Sequence, residues 1–471
     1  MQRRLITVLV VLGFIVAGCS SSSGDVTTVS STTGQVAPTA SSVQGGATSG
    51  PSLAPSASGS TLPSASASTA ASGSAGATPA PTPSGAHIGE VIPATITGMH
   101  VAGVQDGAWP DNNDPFGTLR LWDSGTNWSQ VEATKGVYNW KALDTSVKTA
   151  QLHGIKDILL VLGGTPSWNA TKIKAGDYPV PGAASTPKDL AAWDRFVTAV
   201  VKRYKGRITS YQIWNEASLA MFWNGSPETL AKMTKSAHDI IKKYDPKAKV
   251  VAASTTVRLA GAFARFFPKY LAALAALGWP VDVFAAHLYP SSKQTPDERA
   301  GFIGQVTGAL KQAGAPDLPI WDTELNYGLA GPGPSNPRQT IDGAKARDWV
   351  VQTELDSLHL GLDRTYWYIW TPQPYPLLGM QLTTDSGAVK GLRIINQWIV
   401  GSTFQGCTDD GSVVACHVDK NGIPAIIAWA TDTSGTYTPP SGYTQACSTA
   451  NKCTAFSGSV ELGETPVRII Q

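Results

Sequence analysis

Two short apolar runs in this sequence each stop at a carboxylate. Tyr211-Gln212-Ile213-Trp214 ends in Asn215-Glu216, and Ile320-Trp321-Asp322-Thr323 ends in Glu324. A buried strand that delivers polar groups at its C-terminal end is how parallel β/α barrels present reactive side chains. Two carboxyl groups facing each other across such an opening suit glycoside hydrolysis, in which one protonates the leaving oxygen and the other attacks the sugar. A retaining pair stands ~5–5.5 Å apart and an inverting pair ~6.5–9.5 Å. The two acids also need different surroundings. A proton donor requires apolar or anionic neighbours that raise its pKa, whereas a nucleophile requires donors that keep it ionised.

For the acids to meet, both must end strands of one sheet. Apolar, β-rich runs recur at 96–101, 118–122, 158–162, 208–214, 250–253, 281–287, 320–323 and 365–370. Helix-period stretches lie between most of them, at 190–204, 229–243, 260–277, 300–313 and 344–361. Thr186-Pro187 and Ser226-Pro227-Glu228 give start signals ahead of the first two. Eight strands alternating with helices point to an α/β (β/α)8 TIM barrel, usually ~250 residues. The competing open, doubly wound sheet calls for a Gly-rich phosphate loop after a strand, and none is present. Glu216 then ends the fourth strand and Glu324 the seventh. Asp322, two positions before Glu324, shares its facing under period 2, either bonding Arg120 one layer deeper or capping a buried network. Asp123 is similarly undecided.

Trp214-Asn215-Glu216 paired with Glu324 resembles clan A of the retaining glycoside hydrolases, most closely family 39 and its neighbours. The likeness extends over most of 100–370. It takes in Arg120-Leu121-Trp122-Asp123, Trp128-Ser129-Gln130-Val131-Glu132 with Lys135-Gly136-Val137-Tyr138-Asn139-Trp140, Thr165-Pro166-Ser167-Trp168, His287-Leu288-Tyr289 and Trp370. Ala217 departs from the usual proline, and Leu325-Asn326-Tyr327 follows the second acid. The resemblance implies that Glu216 is the acid/base and Glu324 the nucleophile, with Glu132 structural. Arg120 and Tyr289 are then the donors expected to keep Glu324 ionised. Asn215 would bond the hydroxyl next to the reacting carbon. His287 would orient Glu216 or touch sugar, or be a satisfied buried histidine. Fourteen of the fifteen tryptophans precede Gly401, and most are expected in the core. Trp168 and Trp370, at strand ends, are expected sugar platforms because an aromatic face packs on sugar C–H bonds; Trp223 is a candidate for a leaving-group subsite.

The ends of the chain differ in kind. Met1-Gln2-Arg3-Arg4, an apolar run over 5–16 and Ala17-Gly18-Cys19 describe a secretory signal. The small residues before Cys19 resemble a bacterial lipobox, which would make Cys19 the lipidated N-terminus. An ordinary signal peptide or an uncut anchor are the alternatives, although the run is shorter than the ~20 residues of a spanning helix. From 20 to 85 the chain is mostly Ser, Thr, Ala, Gly and Pro with Asp25 as its one charge, a composition that cannot offset ordering entropy and reads as a disordered tether. The net charge of +2 argues against a nucleic-acid partner. After 401 short strands at 413–418, 425–430 and 467–470, with an Asn421-Gly422 hairpin signal, suggest a small antiparallel β domain. Its four cysteines, Cys407, Cys416, Cys447 and Cys453, are expected as local disulfides Cys407–Cys416 and Cys447–Cys453. Zinc is the competing reading, but the spacings do not fit paired Cys-x-x-Cys knuckles.

The expectation is therefore an exported O-glycosidase acting on a polysaccharide or oligosaccharide, lipid-anchored to the outer face of a bacterial cell membrane. Its parts are a signal peptide at 1–18, a tether at 19–85, a catalytic barrel at 86–400 and a disulfide-stapled β domain at 401–471. A monomer is expected, with no metal or organic cofactor. A non-catalytic carbohydrate-binding lipoprotein on a barrel scaffold, and a transglycosylase, remain the rival readings.

Overall fold

The computed structural model describes residues 82–110 and 115–471; the expected signal peptide, Cys19 and nearly all of the expected tether lie outside them. Eight parallel strands form one sheet: β1 (Thr97–Val101), β2 (Thr118–Leu121), β3 (Asp157–Leu162), β4 (Ser210–Ile213), β5 (Lys249–Val251), β6 (Phe284–His287), β7 (Ile320–Leu325) and β8 (Arg364–Trp370). Their order is β5-β4-β3-β2-β1-β8-β7-β6, and parallel bridges Val251–Val283 and Thr256–His287 join the two edges. The sheet is a barrel. All eight strands fall on the runs read from the sequence.

The helices are α1 (Trp128–Val131), α2 (Lys141–Leu152), α3 (Leu190–Tyr204), α4 (Pro227–Tyr244), α5 (Ala260–Ala276), α6 (Glu298–Gln312), α7 (Gly343–His359) and α8 (Gly387–Ile399). α4 begins as its sequence signals: Ser226 Oγ accepts the Thr229 amide and Pro227 fills the first turn. α3 does not start at Thr186-Pro187. Asn169 holds this segment extended by accepting the Lys188 and Asp189 amides, so Asp189 becomes the cap, accepting from Ala191.

Inside the barrel, Leu159, Val251, Val283, Ala285, Trp321 and Tyr366 pack as an apolar floor. Gly98 of β1 is required there, because a Cβ on it would stand 2.3 Å from the Tyr366 ring. The outward strand residues, such as Leu119, Leu160, Tyr211 and Ile213, join Trp193, Phe196 and other helix residues in the main core.

The C-terminal strands are β9 (Thr403–Asp409), β10 (Val413–Lys420), β11 (Ile423–Ala430), β12 (Gly435–Tyr437), β13 (Gln445–Ser448), β14 (Cys453–Ala455), β15 (Val460–Leu462) and β16 (Val467–Ile470). Six form an antiparallel sheet in the order β14-β13-β16-β11-β10-β9. Asn421 and Gly422, both left-handed at φ 59° and 81°, make the tight turn between β10 and β11. The disulfides are Cys407–Cys416, across β9 and β10, and Cys447–Cys453, across β13 and β14. One sheet face packs on α7 and α8, where Leu355, Ile395 and Trp398 meet Phe404, Ile427 and Trp429. Ser84 and Val91 extend the sheet by bridging Cys407 and Thr403. Ser84, within the span expected as tether, is therefore paired into the fold.

Candidate active site

Above the apolar floor a polar network fills the barrel toward the C-terminal ends of its strands. Arg120 of β2 occupies the axis and is almost fully buried. Each of its nitrogens has a partner: Nε donates to Gln212 Oε1 (2.9 Å), Nη2 to Asn215 Oδ1 (2.7 Å) and Nη1 to Glu324 Oε1 (2.6 Å), with His100 Nε2 also 3.2 Å from Nη1. A buried guanidinium needs such pairing to offset desolvation. The result is a rigid fork tying the ends of β4 and β7 together. Because Arg120 only donates, the amide of Asn215 is fixed with its oxygen inward, leaving its NH2 toward the cavity.

Glu324 reaches this position through a break in β7. Ala286 pairs with Asp322 and His287 with Glu324, so one residue of β6 is matched by two of β7. The bulge reverses the alternation. Asp322 faces the helix layer, bonding Arg299 of α6 at 2.9 Å and the Leu288 amide at 3.2 Å. Thr323 and Glu324 both face inward, toward Gln212 and Arg120 respectively. The expectation that Asp322 shares Glu324's facing, within reach of Arg120, is thus corrected. Tyr289 OH donates to the second oxygen of Glu324 at 3.1 Å.

Glu216 is held by a loop in which Trp214 (φ 82°) and Glu216 (φ 39°) are both left-handed, a conformation costly for residues with a Cβ and often found at functional sites. Two bonds fix it: the Glu216 amide donates to Ser254 Oγ at 2.9 Å and the Ala217 amide to the Ser254 carbonyl at 3.0 Å. The second explains the departure at 217, because proline has no N–H to give. His287 Nδ1 stands 3.0 Å from Glu216 Oε1 and 3.5 Å from Glu324 Oε2. Its Nε2 is buried without a partner among the described residues, which favours the tautomer with the proton on Nδ1, facing the acids.

One ligand atom each from Glu216, His287 and Glu324 lie within 4.8 Å of one another. The two carboxyl groups therefore approach each other closely at the barrel mouth. Three such groups could also hold a cation, but both Glu324 oxygens are already taken by Arg120 and Tyr289, and Arg120 supplies the positive charge an ion would bring. Burial raises the pKa of Glu216 to about 7, against the opposing pull of Arg258 and Arg120. Burial also lifts Glu324, opposed by His287 and then by Arg120. Burial pulls His287 down to about 3, against the opposing pull of Glu324; with the imidazole neutral, Arg120 is the charged donor on Glu324.

A cavity of about 190 Å³ opens over the pair, lined by Asn215, Glu216, Glu324 and Tyr289 together with aromatic and loop residues. Arg120 and His287 lie behind its wall, completely covered; they arrange the acids and do not offer surface to a ligand. Trp168 and Trp370, expected as sugar platforms, are not in the lining of this cavity. Trp168 Nε1 donates to the Glu132 carbonyl and its ring packs edge-on against Trp128. Trp370 is turned out beside Met99 and Phe116 by a bulge in β8, where Met99–Trp367 and Val101–Trp370 pairs enclose one extra residue. Trp223 is in the core against Trp214. The aromatic lining comes instead from Trp122, Tyr178, Phe222, Tyr368 and Tyr375. Asp123 joins two of these, accepting from Tyr178 OH and from Tyr368 OH (2.6 Å). Glu132 is structural, accepting from Trp128 Nε1 and the Gly136 amide. The sequence reasoning missed Arg258 and the tyrosines; a tyrosine at 368, two positions before Trp370 in a strand-end run, was the one available signal.

No protein-family model matches the chain. A curated β-xylosidase from Caldicellulosiruptor saccharolyticus is 27% identical over 243 residues, covering 46% of this chain and 47% of that protein; the chain spans about half the length of this relative. A family 39 glycoside hydrolase from Bacteroides cellulosilyticus WH2 superposes with a TM-score of 0.57 at 17% identity, covering 81% of this chain and 82% of the other. A monomeric β-xylosidase from Caulobacter crescentus CB15 gives 0.55 at 16% identity, over 83% and 97%. A GH30 endoxylanase from Clostridium papyrosolvens C71 gives 0.52 at 14%, over 82% and 97%. The fold is that of the glycoside hydrolase barrels.

Proposed function

We propose that this protein is a retaining glycoside hydrolase that cleaves O-glycosidic bonds of an oligosaccharide or polysaccharide outside the cytoplasm, held to the membrane by a lipid on Cys19. The observation that carries the reading is the unequal carboxylate pair at the barrel mouth: Glu324 between the donors Arg120 and Tyr289, and Glu216 raised to about 7. In the first step Glu324 attacks the anomeric carbon while Glu216 gives its proton to the leaving oxygen, producing a glycosyl ester on Glu324 and a free alcohol. In the second, Glu216, now a carboxylate, takes a proton from water as the oxygen attacks, and Glu324 is released with the configuration retained. The NH2 of Asn215, whose oxygen accepts from Arg120, would bond the neighbouring sugar hydroxyl. The β-xylosidase relative makes aryl β-xylosides the first substrates to try.

Glu216→Ala is expected to lower kcat/KM on substrates with poor leaving groups about 10²–10⁴-fold, while azide restores turnover on activated aryl glycosides and gives a glycosyl azide of retained configuration. Glu324→Ala with azide gives the inverted product instead. The reverse pattern would exchange the two roles, and a wild-type protein that binds glycans without cleaving any would favour the binding-protein reading.

A further inference from the structure

The cavity wall beside Glu216 carries a cation that hydrolysis of a neutral sugar does not require. Arg258, in the loop after β5, is half-buried and lines the cavity with Glu216 and Tyr289. Its guanidinium carbon lies 5.9 Å from the centre of the Tyr289 ring, and Nη1 donates to the Gly331 carbonyl at 3.3 Å. These contacts hold the group at the cavity wall. Its Nε and Nη2 have no hydrogen-bond partner among the described residues, and no carboxylate pairs with it there. The Nε–Nη2 edge of arginine matches the two oxygens of a carboxylate in a bidentate pair.

The placement runs against the needs of the acid. A positive charge close to Glu216 favours its ionised form, and Arg258 is the foremost charge acting on Glu216, whereas it does not figure among those acting on Glu324. Arg258 also follows Ser254, whose Oγ and carbonyl accept the Glu216 and Ala217 amides, in the loop after β5, the strand next to β4. It therefore stands on the Glu216 side of the pair, the side on which a leaving group would be protonated. A ligand carboxylate there would satisfy the open edge of the guanidinium and also cancel the field that weakens proton retention on Glu216.

Resting on the hydrolase reading above, we propose that Arg258 binds the carboxylate of an acidic sugar, a uronate, on the leaving-group side of the scissile bond. The site thus selects anionic glycans cut next to a uronate residue.

The test uses the full protein and pairs of uronate-containing oligosaccharides, each compared with its carboxyl-reduced counterpart, in which the same sugar bears an alcohol. The native member should be cleaved with a kcat/KM at least about tenfold higher, the scale of one charge-assisted hydrogen-bonded contact. Arg258→Gln should bring the ratio close to one, and Arg258→Lys should restore part of it. The ratio is internal to each variant, so a general loss of activity or folding does not imitate the result. Equal cleavage of both members by the wild type, or a ratio unchanged in Arg258→Gln, overturns the uronate assignment while leaving the hydrolase intact. If neither these substrates nor neutral aryl glycosides are cleaved, the hydrolase reading itself fails and the assignment falls with it.

Discussion

Glu216 and Glu324 are the same side chain in two settings, and the donors around them decide which keeps the proton. Glu324 accepts from Arg120 at 2.6 Å and from Tyr289 at 3.1 Å; Glu216 has only the neutral His287 at 3.0 Å. Activity that needs protonated Glu216 is present below its pKa and lost above it. The alkaline limb of kcat/KM is therefore expected near pH 7, and a limb several units higher would assign the proton elsewhere. The same shift acts on stability. Burial raises the folded-state pKa above the unfolded one, so the folded protein holds the extra proton between about 4.5 and 7 and is progressively destabilised as pH rises through that window. Glu216→Gln, which cannot ionise, should therefore melt higher than wild type at pH 8 by an amount of order 1–3 kcal/mol, with the gain vanishing by pH 4. An equal difference at both pH values would point to a packing effect instead.

At the level of elements, two bulges shape the mouth of the barrel. The extra residue in β7 brings Glu324 inward and sends Asp322 to Arg299. The extra residue in β8 keeps Tyr368 at Asp123 and turns Trp370 away from the cavity. The same device thus adds one functional side chain and removes another. Below them the strands must approach closely, and Gly98 permits it. Gly98→Ala drives a methyl group into the Tyr366 ring and should cost about 1–3 kcal/mol, read as a lower urea midpoint. An unchanged midpoint would mean that Tyr366 moves aside freely.

For the whole molecule, the C-terminal sheet is fastened to the barrel by the apolar face it shares with α7 and α8 and by the strand-like pairing of Ser84 and Val91 with β9. The chain therefore enters the fold beside the C-terminal sheet. With a lipid on Cys19, the protein should partition with membranes and into detergent, and Cys19→Ala should shift it to the aqueous phase. Equal membrane association of both would favour an uncut N-terminal anchor over lipidation.

The sequence by itself determined the barrel, the hairpin at Asn421-Gly422, the two local disulfides and the strand ends that carry Glu216 and Glu324. These are local matters, set by hydrophobic period, turn chemistry and loop length. Tertiary structure decided which side chains around the acids reach the cavity. A bulge is a one-residue offset between two strands, and it exists only once they pair, so period 2 read along one strand gave Asp322 the wrong facing, and a position at a strand end did not reveal that Trp370 turns away from the cavity. Arg258 was hidden for a related reason: a loop arginine acquires meaning only when folding sets it beside Glu216 with one edge of its guanidinium open.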